Sequence, residues 1–359
     1  MTKEELRVSA PARICLFGEH QDYFGLSIIA AAINLRISIS GTKRKDMTFK
    51  INLPDIDDIE EFSVEKELEY TKERDYLKSC INLLKRKGID LPAGWDCLIQ
   101  GTVPINAGSA SSSALVVAWI KFLLEAAEDE RANMADEIAE LGFLAEVAEF
   151  REPGGKMDHY ASSLGGVVSI NFGEKFKVRK LKNPLKEFVL ADSLQKKDTT
   201  GMLSYIKNHV LQGIAELRKK RKDFSLKSSP IQEVEDEIEK LSPEVRRLLK
   251  GTLLTRDLAA EGKTLFETDV FDHARFGDLL TSQCKVLRDY LHISTPKIEQ
   301  MIETALKAGA LGAKTNGSGG GGCIFAYACN KAESIAEALE KTGAKAYIVR
   351  IDDGVRKEN

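Results

Sequence analysis

Pro104-Ile105-Asn106-Ala107-Gly108-Ser109-Ala110-Ser111-Ser112-Ser113-Ala114 is the stretch from which the fold can be read. Before it, Trp95, Cys97, Ile99, Gly101 and Val103 alternate with other residues, the period-2 pattern of a half-buried strand. After it, Ala114 to Ala127 are almost wholly apolar, which predicts a helix buried on most sides. Small residues and three consecutive serines join the two. The first amides of a helix lack internal partners and carry partial positive charge. Small side chains let an anion approach them, so strand, turn and helix together suggest a phosphate cradle. The plainer reading is a serine cap on a core helix.

Outward from this stretch, the 359 residues suggest two domains, with a boundary between about 173 and 200. A hydrophobic fraction of 43% and a charged fraction of 30% are those of a soluble globular protein. The formal charge of -3 offers no basic surplus for nucleic acid. Cys15, Cys80, Cys97, Cys284, Cys323 and Cys329 form no C-x-x-C pair and read as reduced thiols of a cytoplasmic protein. The charged start, Met1 to Arg7, carries no apolar signal segment, and no apolar run reaches membrane-spanning length.

One or two strands, interrupted at Pro11, are expected over Leu6 to Leu16, and further strands at Ser27 to Asn34, Leu35 to Thr42 and Met47 to Leu53. A polar helix is expected from Thr71 to Arg86, ending at Gly88, and a second from Met134 to Phe150. Val167 to Phe172 and Lys175 to Val178 flank Gly173-Glu174 as a hairpin, and Phe188 to Ala191 is a short strand. Helices dominate Ser204 to Leu265, where the basic run Arg218 to Lys222 reads as a solvated face. A helix from Ser294-Thr295-Pro296 to Gly309, a strand over Cys323 to Ala328, a helix over Lys331 to Thr342 and a strand over Ala344 to Ile351 complete the chain.

Three further constellations carry chemistry. Gly317-Ser318-Gly319-Gly320-Gly321-Gly322 fits G-x-G-x-x-G formally, but a strand follows rather than a helix, so a dinucleotide fold is rejected. Glycines are entropically costly, and close approach of the backbone to a phosphate or to another strand would explain five of them. Arg13, Glu19, His20 and Asp22 place a guanidinium and a loop of hydrogen-bonding groups where a ligand with several hydroxyls would fit. Glu146 and Asp158 are two carboxylates that could divide the work near a phosphate, one holding Mg²⁺ and the other accepting a proton.

Taken in order, these stretches resemble the three motifs of the GHMP small-molecule kinases, and locally those of the galactokinase-like sugar kinases. Ala10 to Tyr23 resembles the first motif, residues 104 to 114 the second, and residues 312 to 323 the third. Gly154-Gly155-Lys156-Met157-Asp158 resembles the segment of the catalytic aspartate. The resemblance implies an α+β fold of two domains with the site in the cleft between them. Residues 1–180 would form a ribosomal-protein-S5-like ATP- and substrate-binding domain, and residues 181–359 a ferredoxin-like C-terminal domain. It implies an ATP-dependent sugar kinase acting on the anomeric hydroxyl, with Asp158 as base and Arg13 beside it. Pro104, Asn106, Ala107, Gly108, Ser109, Ala110, Ser111, Ser112 and Ser113 would bind ATP, and Ser112 and Glu146 would hold Mg²⁺. Glu19, His20, Asp22, Gly155 and Asp158 would meet the sugar, and Gly317, Ser318, Gly319, Gly320 and Gly321 would close over the site. The implied partner is a small sugar, with no nucleic acid and no membrane, and the protein would be a monomer or homodimer. Alternatives are a mevalonate- or homoserine-type kinase, or a sugar sensor without catalysis. Glu19-His20-Gln21-Asp22-Tyr23 favours a sugar, since mevalonate kinases share Gly-Glu-His but lack the Asp-Tyr. Lys156 stands where galactokinases carry an apolar residue, and Cys15 where they carry Asn, so galactose itself need not be the acceptor. Lys156 would either meet an anionic substrate group or lie on the surface.

Overall fold

The computed structural model describes residues 5–172 and 175–358. Two sheets organise them. The first runs in the order β12-β1-β2-β5-β3-β4, formed by Arg356–Lys357, Glu5–Phe17, Ile28–Lys43, Trp95–Gly101, Thr48–Leu53 and Asp58–Ser63. β6 (Val167–Phe172) pairs with the start of β2, and β7 (Phe176–Leu181) pairs with β6. The second sheet is antiparallel, in the order β11-β8-β10-β9, from Lys345–Val349, Glu187–Asp192, Cys323–Cys329 and Gly312–Thr315.

Helices α1 (Tyr76–Arg86), α2 (Ser111–Ala126), α3 (Ala135–Phe143) and α4 (Met157–Leu164) accompany the first sheet. α5 (Thr199–Lys220), α6 (Ile231–Ile238) and α7 (Pro243–Phe266) share an apolar core with the end of α8 (His273–Asp289). α9 (Pro296–Lys307) and α10 (Ala332–Glu340) pack on the second sheet. The fold is the expected α+β arrangement. Among the described residues no helix is long and apolar enough to cross a membrane, and all six cysteines are free thiols.

β1 is buried from Val8 to Phe17 because both its faces are covered, by α2 and α4 and, more sparingly, by α7 and α8. Gly262 of α7 lies so close to Phe17 that a Cβ there would fall 2.6 Å from its ring. α2 repeats this logic as a helix: apolar nearly all round, it is buried nearly all round. Its one lysine, Lys121, satisfies its ammonium with Glu125 Oε1 at 2.6 Å and the Ala132 carbonyl at 2.7 Å.

Several expectations needed correction. β1 passes Pro11 unbroken, absorbing it as a register shift between Pro11 and Ala12. The two strands expected over 27–42 are one, β2, in which Asn34 and Leu35 form the bulge opposite Pro11 and Ala12 rather than a break. α1 starts at Tyr76, since Asp75 spends its carboxylate on the Thr71 amide and on Lys78. α2 begins at Ser111 with no serine cap; Ala110 precedes it in the left-handed region, φ 62°. The helix expected over 134–150 is α only to Phe143 and widens into a π-turn over Leu144–Ala148. Asp158 follows Gly154-Gly155 and lies in the first turn of a helix that was not expected there, α4. β4, α4, α8, β9 and β12 were not foreseen. β6 and β7 do pair as a hairpin, but its turn, Gly173-Glu174, lies outside the described residues.

Candidate active site

The turn from β5 to α2 passes through Asn106 (φ 56°), Gly108 (φ 90°) and Ala110 (φ 62°). A left-handed alanine costs about 1–2 kcal/mol, and here it turns the start of α2 without a capping side chain. The first amides of the helix, at Ser111, Ser112 and Ser113, keep their donors for a ligand. These three serines line a hollow together with Arg13, Glu19, His20, Asp22, Asn106, Gly108, Ala110, Glu146, Gly155, Asp158, Gly317 and Ser318. Motifs separated by some three hundred residues thus converge.

Arg13 is the hinge of the arrangement. Its side chain is 4% exposed, with Nε donating to Asp158 Oδ1 at 2.8 Å and Nη1 to the Gly108 carbonyl at 2.6 Å. The Asp158 carboxylate therefore stands one guanidinium's width from the serine-rich loop. Burial works against the Arg13 charge, but Asp158 and its other neighbours outweigh it, and the pKa lies above the ordinary arginine value. Asp158 can stay where it is because it opens α4, where a carboxylate meets the helix N-terminus.

Asp22 lies beside this pair. It accepts the amides of Tyr23 at 3.0 Å and Met157 at 3.2 Å. Gly155 makes room for it: a Cβ there would fall 2.1 Å from Asp22 Oδ2. Burial, reinforced by the Asp158 charge, pushes the Asp22 carboxyl up to about 6. His20 sits at φ 61° with Nε2 3.2 Å from the Ser318 carbonyl and Nδ1 2.8 Å from the Tyr23 hydroxyl. A carbonyl only accepts, so Nε2 carries the proton and Nδ1 accepts from Tyr23. Burial pushes His20 down to about 4, and the ring is neutral near pH 7. Glu19 is ion-paired with Lys314.

Glu146 occupies the π-turn, a local widening frequent at functional sites. It is buried, and its Oε2 lies 2.7 Å from Nε2 of His159, a residue of α4. Ser112 and Glu146 both line the hollow and both offer hard oxygen donors, which suit Mg²⁺. Among the described residues no group of three or more His, Cys, Asp and Glu side chains could cage a metal.

Some expected residues stand behind the hollow. Ala107 gives its carbonyl to the Cys323 amide at 2.6 Å, and Ser109 its carbonyl to the Arg13 amide at 3.1 Å. Pro104 is contacted by the Ser109 hydroxyl at 3.4 Å. Of the glycine run, Gly317 and Ser318 line the hollow. Gly319 and Gly320 pack on Ile293 and Met202, and Gly321 on Gln195. Gly322 and Gly317 lie against Ala107 and Gly108, where a Cβ would fall 2.5 Å and 2.7 Å from a carbonyl oxygen. The close approach seen for these glycines is to neighbouring backbone and side chains, and Gly317 also faces the hollow. Lys156 turns away: its Nζ lies 2.6 Å from Glu140 Oε2, between the rings of Phe143 and Phe176.

Other residues of the site were missed. Lys197, Thr199 and Thr200 line the hollow at the start of α5. Lys197 Nζ reaches the Ser318 hydroxyl at 3.0 Å, and burial pushes it down to about 8. The signal was present: Asp198 caps α5 through the Gly201 amide at 2.8 Å, a pattern that would have started the helix five residues sooner. Arg74, at the mouth, bonds Glu152 at 2.9 Å and also the Thr200 hydroxyl. No local pattern marks it.

Comparison with known proteins agrees with this geometry. Family models described as GHMP kinases N terminal domain and GHMP kinases C terminal match residues 75–166 and 265–345, and a galactokinase galactose-binding signature matches residues 2–43. The galactokinase of Mannheimia succiniciproducens is 26% identical, covering 98% of this chain and 94% of its own. The mevalonate kinase of Pyrococcus furiosus is 29% identical, covering 98% and 97%. In structure, Lactococcus lactis galactokinase complexed with galactose superposes with a TM-score of 0.85 at 22% identity, covering 99% of this chain and 96% of that one. Methanococcus jannaschii mevalonate kinase gives 0.73 at 22% identity, covering 98% and 100%. With both domain models matched in order, relatives aligned end to end and the fold shared, the chain belongs to the GHMP kinase family of ATP-dependent phosphotransferases.

Proposed function

We propose that this protein transfers a phosphoryl group from Mg²⁺-bound ATP to a sugar hydroxyl, the anomeric one, in a cleft between residues 1–180 and 181–359. One observation carries the reading: a single carboxylate, Asp158, is tied through Arg13 to the loop that opens α2. Phosphoryl transfer asks for positioning and charge neutralisation more than covalent chemistry. The amides of Ser111, Ser112 and Ser113 would hold phosphate oxygens, with Lys197 and Arg13 offsetting their charge. Asp158 would take the proton of the attacking hydroxyl, help typically worth ~10²–10⁴-fold. Ser112 and Glu146 would hold Mg²⁺, which supplies further positive charge against the phosphates when bound.

Relatives of similar identity include galactokinases and mevalonate kinases alike, so the acceptor rests on the site itself. Its acceptor side presents Glu19, Asp22 and Asp158 with a neutral His20. Of the cations lining the hollow, Arg13 is paired with Asp158 and Arg74 with Glu152, while Lys197, bonded only to the neutral Ser318 hydroxyl, stands with the glycine-rich segment on the phosphate side. Lys156 is engaged with Glu140. An uncharged polyol suits such walls, whereas a carboxylate acceptor would meet like charge. The galactose-binding signature over residues 2–43 supports the same choice.

The deciding measurement is ADP release with Mg²⁺-ATP across free neutral sugars, uronic acids, sugar phosphates, mevalonate and homoserine. A neutral sugar is expected to turn over fastest. Turnover confined to mevalonate or homoserine would replace the reading with a non-sugar kinase, and sugar binding without ADP release would make the protein a sensor.

A further inference from the structure

The last strand before the glycine run holds two buried polar side chains that the reaction as drawn does not use. Lys314 and Asn316 lie two residues apart, Lys314 on β9 and Asn316 just after it, and both are 0% exposed. Their task follows from a gap in the first sheet. β12 pairs with β1 only at Val8 and Ser9, so the edge of β1 beyond Ser9 has no strand beside it. Buried backbone groups there need other partners.

Asn316 and Lys314 supply them. Asn316 Oδ1 accepts the Cys15 amide at 2.9 Å, while its Nδ2 donates to the carbonyls of Gly108 at 3.1 Å and Arg13 at 3.4 Å. Lys314 Nζ donates to the carbonyls of Cys15 at 3.0 Å and Thr315 at 3.2 Å and to Glu19 Oε1. An ammonium has three donors, and all three are used. The peptide groups on either side of Cys15 are thus gripped, one by each side chain. Beyond that shared anchor the two diverge. Asn316 reaches the phosphate loop at Gly108, the carbonyl that Arg13 also holds. Lys314 reaches Glu19, which lines the hollow and whose Oε2 has no protein partner.

We infer that Lys314 and Asn316 are positioning residues with separate duties: Asn316 sets the serine-rich loop for the nucleotide, and Lys314 sets Glu19 for the acceptor. This rests on the kinase reading above. Removing the outer partner of a metal ligand typically costs about 10–100-fold in affinity, and a loss of the same order is expected for a loop or carboxylate that loses its positioning group.

The test compares Asn316→Ser, Lys314→Met and Glu19→Gln in the full chain, with the best sugar from the panel as acceptor. Asn316→Ser should raise the KM for ATP about tenfold or more and leave the sugar KM within about twofold. Lys314→Met should do the reverse, and the Glu19→Gln/Lys314→Met pair should be no worse than either single change. If Lys314→Met fails to fold, the pair still reports, since it leaves no uncompensated buried charge. Both KM values moving together, or neither moving while Tm falls, would reduce these residues to structural fasteners and overturn the inference. Mg²⁺-ADP binding by calorimetry separates this from the parent reading. A wild type without turnover sinks the sugar-kinase assignment, while ADP affinity lost in Asn316→Ser and kept in Lys314→Met upholds the division of labour. Equal loss in the two variants overturns it.

Discussion

At the scale of single residues, the site is a set of charges whose neighbours fix what each can do. Asp158→Asn keeps the oxygen that accepts from Arg13 but cannot take a proton, so turnover should fall ~10²–10⁴-fold. ADP binding should change by less than about twofold; full activity would remove Asp158 from the base role. His20 and Asp22 make an opposed pair. His20 titrates near 4 in the fold against an ordinary 6.5, so acidification through that window protonates the unfolded chain first and lowers stability. Asp22 titrates near 6 against 3.8, so acidification protonates the fold first and raises stability. Relative to wild type, His20→Gln should therefore gain stability between pH 6.5 and 4, and Asp22→Asn should lose it between 6 and 4. The slopes are at most about 1.4 kcal/mol per pH unit for buried His20 and smaller for partly exposed Asp22. Urea midpoints at pH 4, 5 and 6 read both, and parallel curves for all three proteins would contradict the assignment. Most of these residues were legible in the sequence as types at spacings. Their states were not: nothing near His20 in the chain announces that Ser318 will fix its tautomer.

Among elements, the junction before α4 is the most exacting. Gly155 has no need of a left-handed backbone, and what it provides is space for the Asp22 carboxylate. That carboxylate is pinned by two amides and cannot swing aside. Gly155→Ala should raise the acceptor KM at least tenfold and cost about 1–3 kcal/mol. An unchanged acceptor KM would separate Asp22 from the acceptor. α2 was readable because an unbroken apolar run has one good destination. α4 was not, because Met157 to Leu164 is short and mixed, and its helicity comes from packing on α3 and the first sheet. The π-turn at Glu146 likewise leaves no local mark, since it adds one backbone residue without changing the apolar spacing on either side.

For the molecule as a whole, the end of the chain fastens its beginning. Arg36 on β2 donates to Ser9 Oγ at 2.7 Å, Asp352 Oδ2 at 2.7 Å, and the carbonyls of Ser9, Asp353 and Gly354 at 3.0, 3.0 and 2.8 Å. Arg36→Met should cost about 3 kcal/mol, the usual consequence of opening a largely buried ion pair. Amide exchange over residues 351–357 should rise first, and protection there equal to wild type would refute the clasp. By itself the sequence determined the mixture of helix and strand, the order of the motifs and the chemistry available to each, because turn residues and apolar periodicity act over a few positions. Only the tertiary structure decided which groups face one another. Lys314 pairs with Glu19 across 295 residues, and Lys156, two positions before the base, turns instead to Glu140. Those choices follow from which buried charge lies within reach after the sheets have packed, and no short-range pattern encodes that distance.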